Sequence, residues 1–463
     1  GFRENNGMEI KLFSGGICLV AMLGILFLTA PCQAAPETAG LPGVSAAMLQ
    51  AKFWIDRTPS PHQVILTPMH IDGFNQAIHA AMPQAVVDFD RFPETIDRAT
   101  MQRWLASDRL PRGAERYSQG ELLTGAFYDR LAQNLNLRGL RDANPVRWGF
   151  AVRRTDLRTF PTGTASSEDD ESDDFDLFQE TAVNIAEPLA VLHRSSDGAW
   201  LYVQIYNYRG WLRAADVALS SSRQVWNEKR RSAKFLVITG SKVVPRDAVQ
   251  GKPVADWRAG MGTRLPLLGM EKGGYAVEIP LRNSEGNIYW HKAWIHGKAD
   301  VSIGFLPYTR ANILRQAFKM LGEDYGWGGL GEGRDCSSFI MDIYNVFGLW
   351  SPRNADQQER VPGRRIGLAG VADAAGRSAL LNRAEPGATL HMRNHVMLYL
   401  GQAGGKHYAI HSLGSYGDAT RPRADGTLPR VEVMRVVVGG LDLRLRSGRR
   451  FVEVLSSANN WQP

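Results

Sequence analysis

The sequence predicts an α+β multidomain chain: a helical N-terminal region, two small β-barrels and a C-terminal α+β domain. Three observations carry this. Apolar residues recur at helical spacing between about Ser45 and Leu140, hydrophobicity then alternates with period two in two successive blocks, and from Tyr308 two helical stretches precede a β region. With 463 residues the chain has room for about three or four domains of roughly 100 to 200 residues each, which excludes a disordered or fibrous protein.

In chain order, Lys11 precedes an apolar run from Ile17 to Ala30, and small residues follow at Ala34 and Ala35, the grammar of a cleaved export signal over residues 1–34. That run is too short for a spanning helix, so no stable membrane insertion is expected. Pro31 stands where a small flexible residue is wanted before a lipidated cysteine, which argues against an anchor at Cys32. Residues 40–145 form the helical region, with periodic stretches at Ile71–Met82 and Leu122–Leu135 broken by prolines. Residues 146–222 alternate in AVRRTDLRTF, EPLAVLHR, AWLYVQIY and RGWLRAADVAL, and residues 226–303 repeat the grammar in KFLVITG, TRLPLLGM, GYAVEIPL and NIYWHKAWI. The acidic run from Glu168 to Asp176 is expected to be a solvated loop. Residues 304–463 make the C-terminal domain.

The formal charge of +7 is unchanged by removal of the signal, because Arg3 and Lys11 cancel Glu4 and Glu9. The surplus suits anionic surroundings such as wall polymer, whereas export and the lack of a strong basic cluster argue against nucleic acid as a partner. Of three cysteines, Cys18 and Cys32 lie in or beside the signal, and Cys336 remains as the lone thiol of an exported chain, either buried as a small hydrophobe or chemically active.

Its context points to chemistry. In YGWGGLGEGRDCSSFIMDIYNVFGLWSPR five glycines between Gly326 and Gly333 make a flexible entry loop, Asp335 is a good helix N-cap, and Cys336 falls in the first turn. Phe339, Ile340, Ile343, Tyr344 and Phe347 recur at helical spacing and bury behind it. A helix N-terminus and a nearby His are expected to lower the thiol pKa. Further on, VMLYLG and HYAIHS read as a hairpin that could bring His395 and His411 together across the strands, the logic of a Cys, His and orienter triad. His391 and His407 are rivals that read as structural, and no metal site or cofactor is expected.

Tyr325, Trp327, Gly328, Gly329, then Asp335, Cys336 and Ser337, then Pro352, Arg353 and Gln358 resemble the NlpC/p60 cysteine peptidases of bacterial cell walls. The run NYRGWLRAADVAL resembles bacterial SH3 domains, as do the strand order of the second block and its closing YWHKAWI. The resemblance implies two SH3-like barrels ahead of a papain-like NlpC/p60 domain. It also implies a γ-D-glutamyl-L-diamino acid endopeptidase that acts on peptidoglycan stem peptides or muropeptides in the periplasm or cell wall. Cys336 becomes the nucleophile, His395 the base, His411 its orienter, and Tyr325 an oxyanion donor beside the Cys336 N–H. Asp335, Ser337 and Tyr208 become substrate-binding residues that select a free N-terminal L-Ala. The competing readings are a non-catalytic wall-binding protein and an amidase or acyltransferase with the same triad. Ser338, Asn394, Asn354 and Ala355 depart from the family pattern, the last two on the substrate-facing loop.

Overall fold

The computed structural model describes residues 40–463 apart from 169, 171–174 and 272. The export-signal reading and the cysteines at 18 and 32 therefore lie outside the described residues.

The architecture mixes helix and sheet, as predicted. Seven antiparallel strands between Arg147 and Leu219 form the first sheet and six between Phe235 and Ile303 the second. A third sheet of six carries the order Arg364–Gly367, Ser457–Asn460, Thr389–Met392, His395–Ala403, Lys406–Gly417, Arg430–Gly440. The stretch AVRRTDLRTF begins at the end of one strand, Arg147–Ala151, and runs into a second, Thr155–Arg158, because the chain turns at residues 152–154 to cross from one side of the sheet to the other.

The helix Pro68–Ala81 opens with Pro at its first turn, where the missing N–H has no intrahelical partner to lose, and buries Ile71, Phe74 and Ile78. These side chains join Ile313, Phe339, Ile343, Val396 and Ile410 in one core, whereas Phe89, Met101, Tyr128 and Leu131 join Trp148, Trp200 and Trp211 of the first sheet. The helical region thus packs its first half on the C-terminal domain and its second half on the first barrel. That division draws the barrel against the helix Cys336–Asn345. Among the described residues, no helix is long and apolar enough to cross a membrane.

The acidic run departs from expectation at its end. Asp176 is buried, pairs with Arg158 at 2.8 Å and accepts the Ser166 and Phe178 N–H groups at 2.9 Å each. A carboxylate with this many partners is retained inside, where an unpaired one would be expelled.

Candidate active site

The helix Cys336–Asn345 starts where its cap predicts. Asp335 is extended (φ −79°, ψ 179°) and its carboxylate accepts the Ser338 N–H at 2.8 Å. The same carboxylate accepts the Gly328 N–H at 3.1 Å, and Ser337 Oγ lies 3.2 Å away. Arg353 closes the set with two bonds, 2.6 Å to Oδ2 and 3.2 Å to Oδ1, and also donates to Ser337 Oγ at 2.7 Å and to Thr181 Oγ1 at 2.6 Å. Arg353 is 2% and Asp335 7% exposed. Burial pushes the Asp335 carboxyl up, yet the Arg353 guanidinium and the capping bonds outweigh it and hold the group below the usual carboxylate range. Gln358 fastens the segment from behind through the Ser337 and Pro352 carbonyls, at 2.9 and 3.0 Å.

The glycine loop is clamped, not flexible. Gly328 and Gly329 have φ of +54° and +86°, and a Cβ on either would lie within 2.7 Å of Gln179 or Ala182 of the first barrel. Gln179 donates to the Gly328 carbonyl at 3.0 Å, Arg154 to the Gly329 carbonyl at 2.7 Å, and the Trp327 indole to the Asp176 carbonyl at 3.0 Å. The first barrel therefore moulds the loop in front of Cys336.

Cys336 is 9% exposed, and the backbone N–H groups of Val396 and Ser337 lie near enough to its sulfur to favour the thiolate. Val396 directly follows His395 in the strand His395–Ala403. His395 Nε2 lies 2.7 Å from His411 Nδ1, with ring centroids 5.0 Å apart. The register, Leu398 opposite Ile410, makes the two histidines diagonal neighbours across the strands. Asn394, where Gly is usual in the resembled family, takes φ +61° in the two-residue turn between Met392 and His395, a conformation Asn tolerates. The rival histidines are held elsewhere: His391 Nε2 meets Thr389 Oγ1 at 2.9 Å, and His407 sits between Ser378 Oγ and Tyr399 OH at 2.7 Å each.

The electrostatics reverse one expectation. Burial first and the Asp335 carboxylate second push the Cys336 thiol up to about 12, while burial pulls His395 down to about 4. A helix end offers an anion up to about 2 kcal/mol, too little against the several kcal/mol that enclosing a charge costs. The residue behind His395 is a second imidazole, itself shifted well down by burial and His395, so no carboxylate there stabilises an imidazolium. The resting pair is neutral thiol and neutral imidazole. Iodoacetamide capping of Cys336 is accordingly expected to accelerate continuously between about pH 6 and 10, and a plateau beginning below about pH 7 would instead mean a preformed thiolate.

Tyr325 lies beside this pair, and burial, then Cys336 and Asp335, push its hydroxyl up, so it stays protonated. Tyr208 reaches in from the first barrel: its hydroxyl donates to the Glu180 carboxylate, which also accepts Thr159 Oγ1 at 2.5 Å, and Asn354 contacts the same hydroxyl. Glu180 was not legible in sequence, where a single acid in an alternating strand reads as outward and solvated. Only the approach of Tyr208 distinguishes it. Among the described residues no three His, Cys, Asp or Glu converge to hold a metal ion.

Residues 322–428 match the NlpC/P60 family, and residues 164–213 match an SH3 domain of the SH3b1 type. No curated protein matches the chain. Among solved structures, the fold is similar to that of a novel NlpC/P60 endopeptidase from Photobacterium damselae subsp. piscicida, at 16% identity over 86% of this chain and 94% of that one, with a TM-score of 0.68. An NlpC/P60 family protein from Bacillus cereus ATCC 10987 matches at 19% identity over 68% of this chain and 100% of its own, with a TM-score of 0.47.

Proposed function

Because the chain carries an NlpC/P60 family domain behind an SH3 domain, we propose that it is a cysteine peptidase of the bacterial cell wall that acts outside the cytoplasm. Its substrate is a peptidoglycan stem peptide with a free N-terminal L-Ala, cut between γ-D-glutamate and meso-diaminopimelate. The observation that carries this reading is the capped helix start, with Cys336 packed in one core with Val396, the residue after His395, and the His395 ring 2.7 Å from His411.

The tautomer follows from the hydrogen bond. If His395 Nε2 keeps its proton and donates to His411 Nδ1, His395 Nδ1 is the basic nitrogen. Nδ1 takes the thiol proton as the sulfur attacks the amide carbonyl, and the resulting imidazolium passes that proton to the departing diaminopimelate nitrogen. Water, deprotonated by the same nitrogen, then attacks the thioester carbonyl; the C–S bond breaks, the acid product leaves, and the imidazolium returns its proton to the Cys336 sulfur. Cys336 is the first residue of its helix, so its N–H has no intrahelical acceptor and serves the oxyanion, with the protonated Tyr325 hydroxyl as second donor. Because the pair is neutral at rest, thiol deprotonation and attack are coupled in this scheme.

The substrate's ammonium group needs an uncompensated anion. Asp335 already faces Arg353, so its part, with Ser337, is to shape the subsite and fix the helix start. Glu180 has no cationic partner among the described residues and is presented by Tyr208 and Thr159, which makes it the better counter-charge. Mass analysis of the products from L-Ala-γ-D-Glu-meso-diaminopimelate is expected to show the dipeptide and free diaminopimelate. N-acetylation of the alanine is expected to lower kcat/KM by about 10-fold or more, since it removes a charge-assisted hydrogen bond. Cleavage at another bond, or binding to insoluble wall without any hydrolysis, would overturn the assignment.

A further inference from the structure

The sequence between Asp418 and Arg430 holds one six-residue pattern twice: DATRPR from Asp418 to Arg423, then DGTLPR from Asp425 to Arg430. Both copies fold alike. In each, the aspartate Oδ1 accepts the threonine N–H at 2.9 Å and the threonine hydroxyl at 2.6 Å, which closes a tight turn and ties one carboxylate oxygen locally. The proline restricts the backbone just before the last arginine, so each copy presents an arginine on a preset turn. A second arginine-bearing loop lies alongside. The Gly417 N–H donates to the Arg444 carbonyl at 2.7 Å and the Leu428 N–H to the Arg446 carbonyl at 2.8 Å, while the Leu445 N–H closes that loop on the Arg449 carbonyl at 2.9 Å.

Arg421, Arg423, Arg430, Arg444, Arg446 and Arg449 are all exposed. Among the described residues, only Arg430 of these six has a carboxylate within ion-pair reach, Glu432 at 3.8 Å. Arg444 and Arg449 instead donate to the Gly448 and Glu453 carbonyls, at 2.6 and 2.8 Å, and the Glu453 carboxylate is held by Arg450. Residues 418–453 carry eight arginines against five carboxylates, and no lysine follows Lys406. The cluster is assembled from two loops, so no long basic run announces it in the sequence.

Like charges held side by side repel, and a bound polyanion relieves that repulsion. We propose that these two loops form a docking surface for a linear polymer that carries phosphate groups in series. Two features choose this partner. Every cation is an arginine, whose planar fork takes two oxygens of one phosphate, whereas attraction to a charged bilayer is served equally by lysine. None of the large exposed hydrophobic side chains of the described residues lies in either loop, so nothing there enters an acyl layer. A single phosphate meets one or two guanidinium groups; a chain of them meets several at once, and the counterions it releases make the affinity fall with salt. No hydrogen bond or ion pair joins the six arginines to Cys336, His395, His411, Tyr325 or Glu180, so docking here is independent of the peptidase reading.

The test is titration of the full chain against end-labelled inorganic polyphosphate, followed by fluorescence anisotropy between about 50 and 300 mM salt. Salt-sensitive binding is expected, with sodium monophosphate at equal total phosphate competing at least about 100-fold less well. Poly-L-glutamate, phosphatidylglycerol vesicles and single-stranded DNA of matched charge are each expected to compete at least about 3-fold less well. The fourfold variant Arg421→Gln, Arg423→Gln, Arg446→Gln, Arg449→Gln is expected to weaken polyphosphate about 10-fold or more at about 100 mM salt. It is also expected to flatten the slope of log affinity on log salt by about 2 to 4. A control variant with the same net charge, in which Arg109, Arg130, Arg138 and Arg141 of the N-terminal region become Gln, is expected to stay within about 2-fold of the parent. Both variants are expected to melt within about 3 °C of the parent, because the changed side chains are exposed. The pair Arg423→Gln, Arg446→Gln is expected to give about half the slope change, which keeps the test decisive if the fourfold variant fails to fold. No polyphosphate binding, equal weakening by the fourfold and control variants, or a competitor as effective as polyphosphate would each overturn the proposal.

Discussion

Cys336→Ala is expected to lower diaminopimelate release by at least about 10⁴-fold and to leave the fold intact, because removal of a nucleophile eliminates the acyl-enzyme route. Cys336 packs in the core beside Phe339 and Val396, and loss of one sulfur there costs about 1 kcal/mol, which separates a chemical effect from unfolding. His395→Ala is expected to cause a loss of the same order, and the double variant little more than either alone, since the two groups act in one step. Single-turnover release of diaminopimelate, followed by mass, checks all three variants. Undiminished turnover by Cys336→Ala would remove Cys336 from the mechanism and end the peptidase reading.

Arg353→Met is expected to destabilise the protein by about 3–5 kcal/mol, a large effect for a single change. The Arg353–Asp335 pair is buried on both sides, at 3% and 10% side-chain exposure, so truncation strands a carboxylate that cannot return to water. The change also removes the 2.6 Å bond to Thr181, the direct tie between the helix start and the first barrel. Adding Asp335→Asn should recover part of the loss by removing the stranded charge, although a neutral amide still caps the helix. Urea unfolding of the parent, the single and the double variants reads this out. A single variant within about 1 kcal/mol of the parent would show that Arg353 is not what holds the cap. Because the Asp335 carboxyl sits below its unfolded range, its contribution is present above about pH 4 and is lost as pH falls through the lower, folded value.

Much of the fold could be read from local pattern. Period-two alternation marked the strands Phe235–Ile238, Gly274–Arg282 and Ile288–His296 closely, since a half-buried strand must present one face to a core. The helix from Cys336 was legible because its start is encoded in two adjacent residues, a capping acid and the first residue of an apolar stripe. The pairing of His395 with His411 followed from hairpin geometry, in which residues 16 apart meet across neighbouring strands.

What could not be read has a common cause. The burial of Asp176 against Arg158 and the meeting of Glu180 with Tyr208 are made by stretches that come together inside the first barrel, the clamp on Gly328 and Gly329 by that barrel's docking on the C-terminal domain, and the upward shift of the Cys336 thiol by burial of the helix start: each is a contact between segments distant in sequence. Patterning, capping and turn chemistry are short-range, so a stretch of about ten residues already specifies which element forms and which face is apolar. Desolvation and charge pairing are set by whatever arrives from elsewhere in the chain. Thr181 and Arg353 stand 172 residues apart yet share a 2.6 Å hydrogen bond, and no local pattern in either segment announces the other.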